Sequence, residues 1–192
     1  MRTLAMSGLA VWVAIMAAGC TGRIFGEGAE AAFGPKGKYW QEKPLGAFAG
    51  DKPLAAYTHF KLGTVSNAYG RNVPESFFDE FTREFDKELA RAKHLPKNPS
   101  GKTLVVNAAV LHYEKADLTD NIFGPHEEVV ARVEMLDQSS GKVLGIGNAV
   151  GRTTKTVGLG VQNKAEGLAK GIVKWITDYY PKPAKEGREE RE

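Results

Sequence analysis

Cys20 is the single cysteine among 192 residues, and it stands just behind an apolar run. The count excludes an internal disulfide. What a lone thiol offers is nucleophilic attack through its thiolate. Ala17, Ala18 and Gly19 precede it, and residues this small leave room for a processing enzyme to close on the backbone beside it. A second group with chemical potential is His112, Glu114, Asp117, Asp120, His126 and Glu127, crowded around one connection between two strands. Imidazole and carboxylate are metal ligands, but a site needs several of them to converge on a hydrogen-bonded second shell. No pair of them has diagnostic helical spacing, so the default is a solvated loop, with a small-ligand or metal site of possible hydrolytic use as the alternative.

Other chemistry fails on spacing. Gly145, Gly147 and Gly151 form G-x-G-x-x-x-G in "GIGNAVG", which is not the dinucleotide fingerprint, and no helix opens there. Glycines inside a strand mark a bulge or a close backbone approach. "GRTTKTVG" lacks the Gly-Lys-Thr order of a phosphate loop. Ser66, Ser76, Ser100, Ser139 and Ser140 sit in turn-like or helix-start contexts, and no G-x-S-x-G elbow surrounds any of them. No catalytic residue, cofactor site or metal site is therefore assigned, and the chain is read as a non-enzyme.

The elements that would position these residues follow from periodicity. "AYTHFKLGTV" alternates, with Thr58, Phe60, Leu62 and Thr64 on one side, and predicts a half-buried strand. Phe77, Phe81, Phe85 and Leu89 recur at every fourth position, joined by Phe78 and Ala92. That predicts an amphipathic helix over Pro74–Lys93, opened by a capping box of Asn72 and Glu75. "KTLVVNAAVLHYE" is apolar on both faces, as an interior strand must be. "EEVVARVEML" alternates Val129, Ala131, Val133 and Met135 against Glu128, Arg132 and Glu134, and "DQSSGK" turns it into "VLGIGNAVGRT" as a hairpin. A closing helix places Ala165, Leu168, Ala169, Ile172, Trp175, Ile176 and Tyr179 near one face and stops at Pro181.

The order β-α-β-β-β-α predicts a two-layer α+β sandwich, with two helices on one face of a mixed four-stranded sheet. Residues 1–19 read as a signal segment, 20–54 as a tether that begins at Cys20 and has turns at Gly34-Pro35 and Lys43-Pro44, 55–180 as one domain, and 181–192 as a disordered charged tail. The aromatics Phe33, Tyr39, Trp40 and Phe48 exceed what a tether needs and are expected to dock on the domain. A net charge of +3 is too small to point to nucleic acid.

"LAVWVAIMAA", Leu9 to Ala18, is shorter than the ~20 apolar residues that span a bilayer. It shows no polar face, and it follows the basic start Met1-Arg2. With Ala17-Ala18-Gly19-Cys20 it resembles a bacterial lipoprotein signal peptide. The resemblance implies cleavage before Cys20, a thioether-linked diacylglycerol on its sulfur and an acyl chain such as palmitate on its new amine. Thr21, where an aspartate would hold the protein at the inner membrane, implies the outer membrane, with the domain facing the periplasm. The stretch from "VARVEMLDQSSGK", with Asp137, Ser140, Gly141 and Lys142 in its turn, to "AEGLAKGIVKWI" is similar to an uncharacterised family of bacterial envelope lipoproteins. More distantly it is similar to the curli secretion lipoprotein and to penicillin-binding-protein activators. That likeness spans about residues 55–180 and implies an envelope protein that binds another envelope protein rather than a catalyst.

Overall fold

The computed structural model describes residues 35–47, 51–71, 73–96, 100–114, 127–153 and 160–182. In chain order the elements are β1 (Lys36–Lys43), β2 (Tyr57–Asn67), α1 (Glu75–Arg91), β3 (Lys102–Tyr113), β4 (Glu127–Asp137), β5 (Val143–Thr153) and α2 (Gly160–Asp178). The sheet order is β1-β5-β4-β3-β2. β2 and β3 run parallel because α1 carries the chain back between them, and every other neighbouring pair is antiparallel. Both helices cover one face, so the α+β class, the mixed sheet and the one-sided helical layer hold.

The strand count does not. The sheet has five strands rather than four, and the extra one, β1, lies inside the stretch expected to be a tether. "KGKYWQEK" alternates Gly37, Tyr39 and Gln41 against Lys38, Trp40 and Glu42, so neither set is an apolar row and the usual strand signal is missing. The two turn signals mark its limits instead, since Pro35 stands before β1 and Pro44 after it. Tyr39 docks on the domain as expected, while Trp40 remains 48% exposed. Phe33, Phe48, the segment 1–19 and Cys20 lie outside the described residues.

The core forms between the helices and alternate residues of the sheet. Leu104, Val106 and Val110 of β3 meet Val129, Ala131, Val133 and Met135 of β4, all with no exposed surface. From α1 come Phe77, Phe81 and Phe85, and from α2 Leu168, Ile172, Trp175 and Ile176, equally buried. The rings of Phe77 and Phe81 stack at 6.1 Å, and Tyr113 meets Phe77 edge-on at 5.3 Å. Two local expectations change. α1 starts after Pro74 with no side-chain cap bond and ends at Arg91, and Asn72 lies outside the described residues. In β2 a register shift between Leu62 and Val65 turns Val65, not Thr64, onto the core.

The glycines of β5 do mark close approach. A Cβ on Gly151 would sit 2.5 Å from the Lys164 carbonyl oxygen, and one on Gly145 2.7 Å from Leu45. Opposite them, a Cβ on Gly171 would lie 2.7 Å from the Lys38 carbonyl oxygen, and one on Gly37 2.8 Å from the Gly171 Cα. α2 therefore rides with its backbone almost touching β1 and β5 along a seam of four glycines, Gly37, Gly151, Gly167 and Gly171. The β4–β5 turn closes as read, with Gly141 in the left-handed region at φ 66°.

Candidate functional site

The sheet face opposite the helices carries the polar residues of β4. Glu128, Arg132 and Glu134 alternate outward from the buried valines and are half-exposed there, as the pattern predicts. β1 adds what the β4 sequence cannot show. The Arg132 guanidinium donates to Glu42 Oε2 at 2.7 Å, and Asn148 Nδ2 of β5 donates to Glu42 Oε1 at 2.7 Å. Arg152 Nε donates to Glu128 Oε2 at 2.8 Å. The Asn148 amide first, and then Arg132, holds the Glu42 carboxyl below its ordinary value. A carboxylate with both oxygens engaged and its charge stabilised is a poor general base. Its chemistry is that of a fixed, salt-linked surface. Trp40 stands beside this network, opposite Asn148 in the strand register, and Leu111 of β3 is 40% exposed.

The acidic and histidine-bearing connection is only partly described. His112 is half-buried and meets the Tyr69 ring edge-on at 5.5 Å. The Glu114 amide donates to the Glu128 carbonyl, and the Glu114 carbonyl accepts from Lys164 Nζ at 2.6 Å. Glu127 begins β4 opposite Thr153. Asp117, Asp120 and His126 lie outside the described residues. Among the described residues no group of three His, Cys, Asp or Glu side chains could hold a metal ion.

Ser139 and Ser140, weighed as nucleophiles, are instead donors to one carboxylate. Asp137 Oδ1 accepts from the Ser139 and Ser140 amides at 2.9 Å each and from both hydroxyls. Its Oδ2 accepts from the Tyr57 hydroxyl at 2.8 Å, with Lys102 Nζ at 3.6 Å. The Ser139 hydroxyl, then Tyr57 and the Ser140 amide, hold Asp137 well below the usual carboxylate range. Burial, and then Asp137, pushes the Tyr57 hydroxyl up to about 12. This knot fixes the hairpin turn to the start of β2 and is structural. Sequence reading marked Asp137 as a turn residue but could not show its reach to Tyr57, 80 positions away.

A depressed carboxyl stabilises the fold above its unfolded value and loses that contribution as pH falls through its folded value. Asp137, Glu42, Glu84 and Asp178 are all lowered. Melting temperature is therefore expected to fall as pH drops below about 4. Asp137→Ala should lower it at neutral pH and flatten that acid limb, as read by circular dichroism across a pH series. A variant that melts like wild type at pH 7 would remove Asp137 from the stabilising set.

No family model matches the chain, and no curated protein matches it. It is similar to two solved structures of the PelC dodecamer from Paraburkholderia phytofirmans, the first of them a point variant. The first is 17% identical, covering 73% of this chain and 96% of that chain, with a TM-score of 0.47. The second is also 17% identical, covering 77% of this chain and 99% of that chain, with a TM-score of 0.43. This is a likeness at low identity, and no functional residue above follows from it.

Proposed function

We propose that the chain is a lipid-anchored, non-catalytic protein of the bacterial envelope that docks onto, or helps assemble, another envelope component. The observation that carries this reading is the apolar run Leu9–Ala18 ending in Ala17-Ala18-Gly19-Cys20. The Cys20 sulfur takes the diacylglycerol, and Thr21 directs the protein to the outer membrane. Each buried CH₂ contributes ~0.8 kcal/mol, so one acyl chain binds marginally while two or three on one residue make release negligible. The β4 face supports docking: Glu134 and the salt-linked Glu42–Arg132 pair present charges of both signs on the sheet face beside Trp40. Complementary charge of this kind sets register and partner choice more than raw affinity.

Two arms test the reading. Cells fed a palmitate analogue should label wild type and not Cys20→Ala, which should accumulate unprocessed. Wild type that takes up no label and washes off as a soluble protein overturns the anchor. In the second arm, Glu134→Lys should fold normally yet lose a partner crosslink captured in intact cells. Loss of folding would make Glu134 structural and remove the docking role.

A further inference from the structure

The outer side of β1 is the end of the sheet. Among the described residues nothing pairs with it, so its outward N–H and C=O groups form a template for another strand. Lysines on an edge strand ordinarily discourage such pairing, and β1 carries Lys36, Lys38 and Lys43. The arrangement of its charges selects one exception. We propose that β1 is a self-recognition strand, pairing antiparallel with β1 of a second copy of this chain about a two-fold axis through Trp40.

The argument is one of register. Residues directly opposite in an antiparallel pair share a face of the sheet. Centring the pair on Trp40 sets the two tryptophans opposite each other on the face away from the helices. β1 bulges against β5 between Gln41 and Lys43, and Glu42 at the bulge stays on the face of Arg132 and Asn148. Lys38 of each copy then meets the bulged Glu42 of the other, giving two opposite-charge pairs around one aromatic pair. Cross-strand aromatic and opposite-charge pairs are the stabilising units of a sheet. Sliding the pair two residues so that Lys38 is central puts Lys38 against Lys38. Centring on Gln41 leaves Lys38 opposite Pro44 and Trp40 opposite Glu42. The charges of β1 thus favour a second β1 over a neutral strand.

The surroundings permit this pairing. Lys38 is exposed, and Trp40 keeps nearly half its surface. Glu42 already accepts from Asn148 and Arg132, one donor on each oxygen, and each oxygen retains a second acceptor site. On the helix side, Tyr39 is tied to Asp178 at 2.8 Å, and Lys174 Nζ, which lies 5.8 Å from the Tyr39 ring, pairs with Asp178 at 2.5 Å. Lys174 is therefore neutralised within its own copy. An isologous contact of this kind closes at two copies and leaves the β2 edge of each outermost.

Cysteine crosslinking of the full chain in the membranes of expressing cells tests the proposal, with wild type, whose one thiol is Cys20, as background. Under mild oxidation Trp40→Cys should give a reducible band at twice the chain mass. Lys38→Cys alone should give little and should give the band when co-expressed with Glu42→Cys. Adding Lys38→Glu to Trp40→Cys, which sets Glu against Glu42, should weaken the band several-fold. Trp40→Cys that stays at the mass of one chain overturns the proposal, as does equal crosslinking by Ser66→Cys on the opposite edge strand.

Discussion

Gly151→Ala is expected to cripple folding, although it adds a single methyl group to a strand. At an unconstrained position the same change commonly stabilises a protein by ~0.4–1 kcal/mol, because alanine loses less freedom on folding. Here the new Cβ would lie 2.5 Å from the Lys164 carbonyl oxygen and 2.9 Å from the Gly167 carbonyl carbon, where ordinary contact begins at 3.4 Å. Both neighbours are backbone atoms of α2, so no rotamer change can relieve the clash. The helix must lift from the sheet by about an ångström, loosening Leu168, Ile172 and Trp175 together. Overpacking typically costs ~1–3 kcal/mol, and a rigid backbone neighbour pushes this change to or past the upper end. Gly37→Ala, on the neighbouring strand of the same seam, should do comparable harm. Urea unfolding monitored by circular dichroism reads both, and a Gly151→Ala midpoint at or above wild type would show that α2 sits less tightly than its contacts require.

Phe81→Ala carries the other large effect, a loss of roughly 3–5 kcal/mol from lost burial and the cavity left behind. Phe81 has no exposed surface and lies between Phe77, stacked at 6.1 Å, and Phe85 at 6.2 Å. Neither neighbour can rotate into the space without abandoning its own contacts on the sheet. Against a typical total of ~5–15 kcal/mol, the variant should be partly unfolded at modest urea concentrations. Phe78→Ala, on the half-buried flank of the same helix, should lose distinctly less. Equal midpoints for Phe81→Ala and wild type would place the phenylalanine row at an interface instead of in the core.

Both helices and the β4–β5 hairpin were legible because one periodicity dominates each. The phenylalanines of α1 fall on one face, and the valines of β4 alternate with charges, so burial follows directly from pattern. β1 was not legible because its inward residues are Gly37, Tyr39 and Gln41. It is held by contacts supplied from α2 and the residue that follows it, including Tyr39 stacked on Trp175 at 5.4 Å and Gln41 donating to the Tyr179 hydroxyl at 2.6 Å. The same gap hid half of the polar surface. Arg132 and Glu128 announce themselves by alternation, but Glu42, 90 positions before Arg132, becomes the partner of Arg132 only once β1 is placed. The close-approach glycines were readable in β5, where they interrupt an apolar strand. Gly37 and Gly171 had no such contrast around them.

The seam and the position of β1 together decide how the domain answers mechanical tension. The register of β1 with β5 runs from Lys36 opposite Arg152 to Lys43 opposite Ile146, with one shift between Gln41 and Lys43. Antiparallel hydrogen bonds lie across the strands. A pull on the Lys36 end of β1 directed along the strand therefore loads these bonds in shear, all at once, instead of peeling them one by one. Gly37 and the Lys38 backbone, lodged against α2, add a steric catch to sliding in that direction. An edge strand that looks like the weakest part of the sheet is thus oriented as its mooring point.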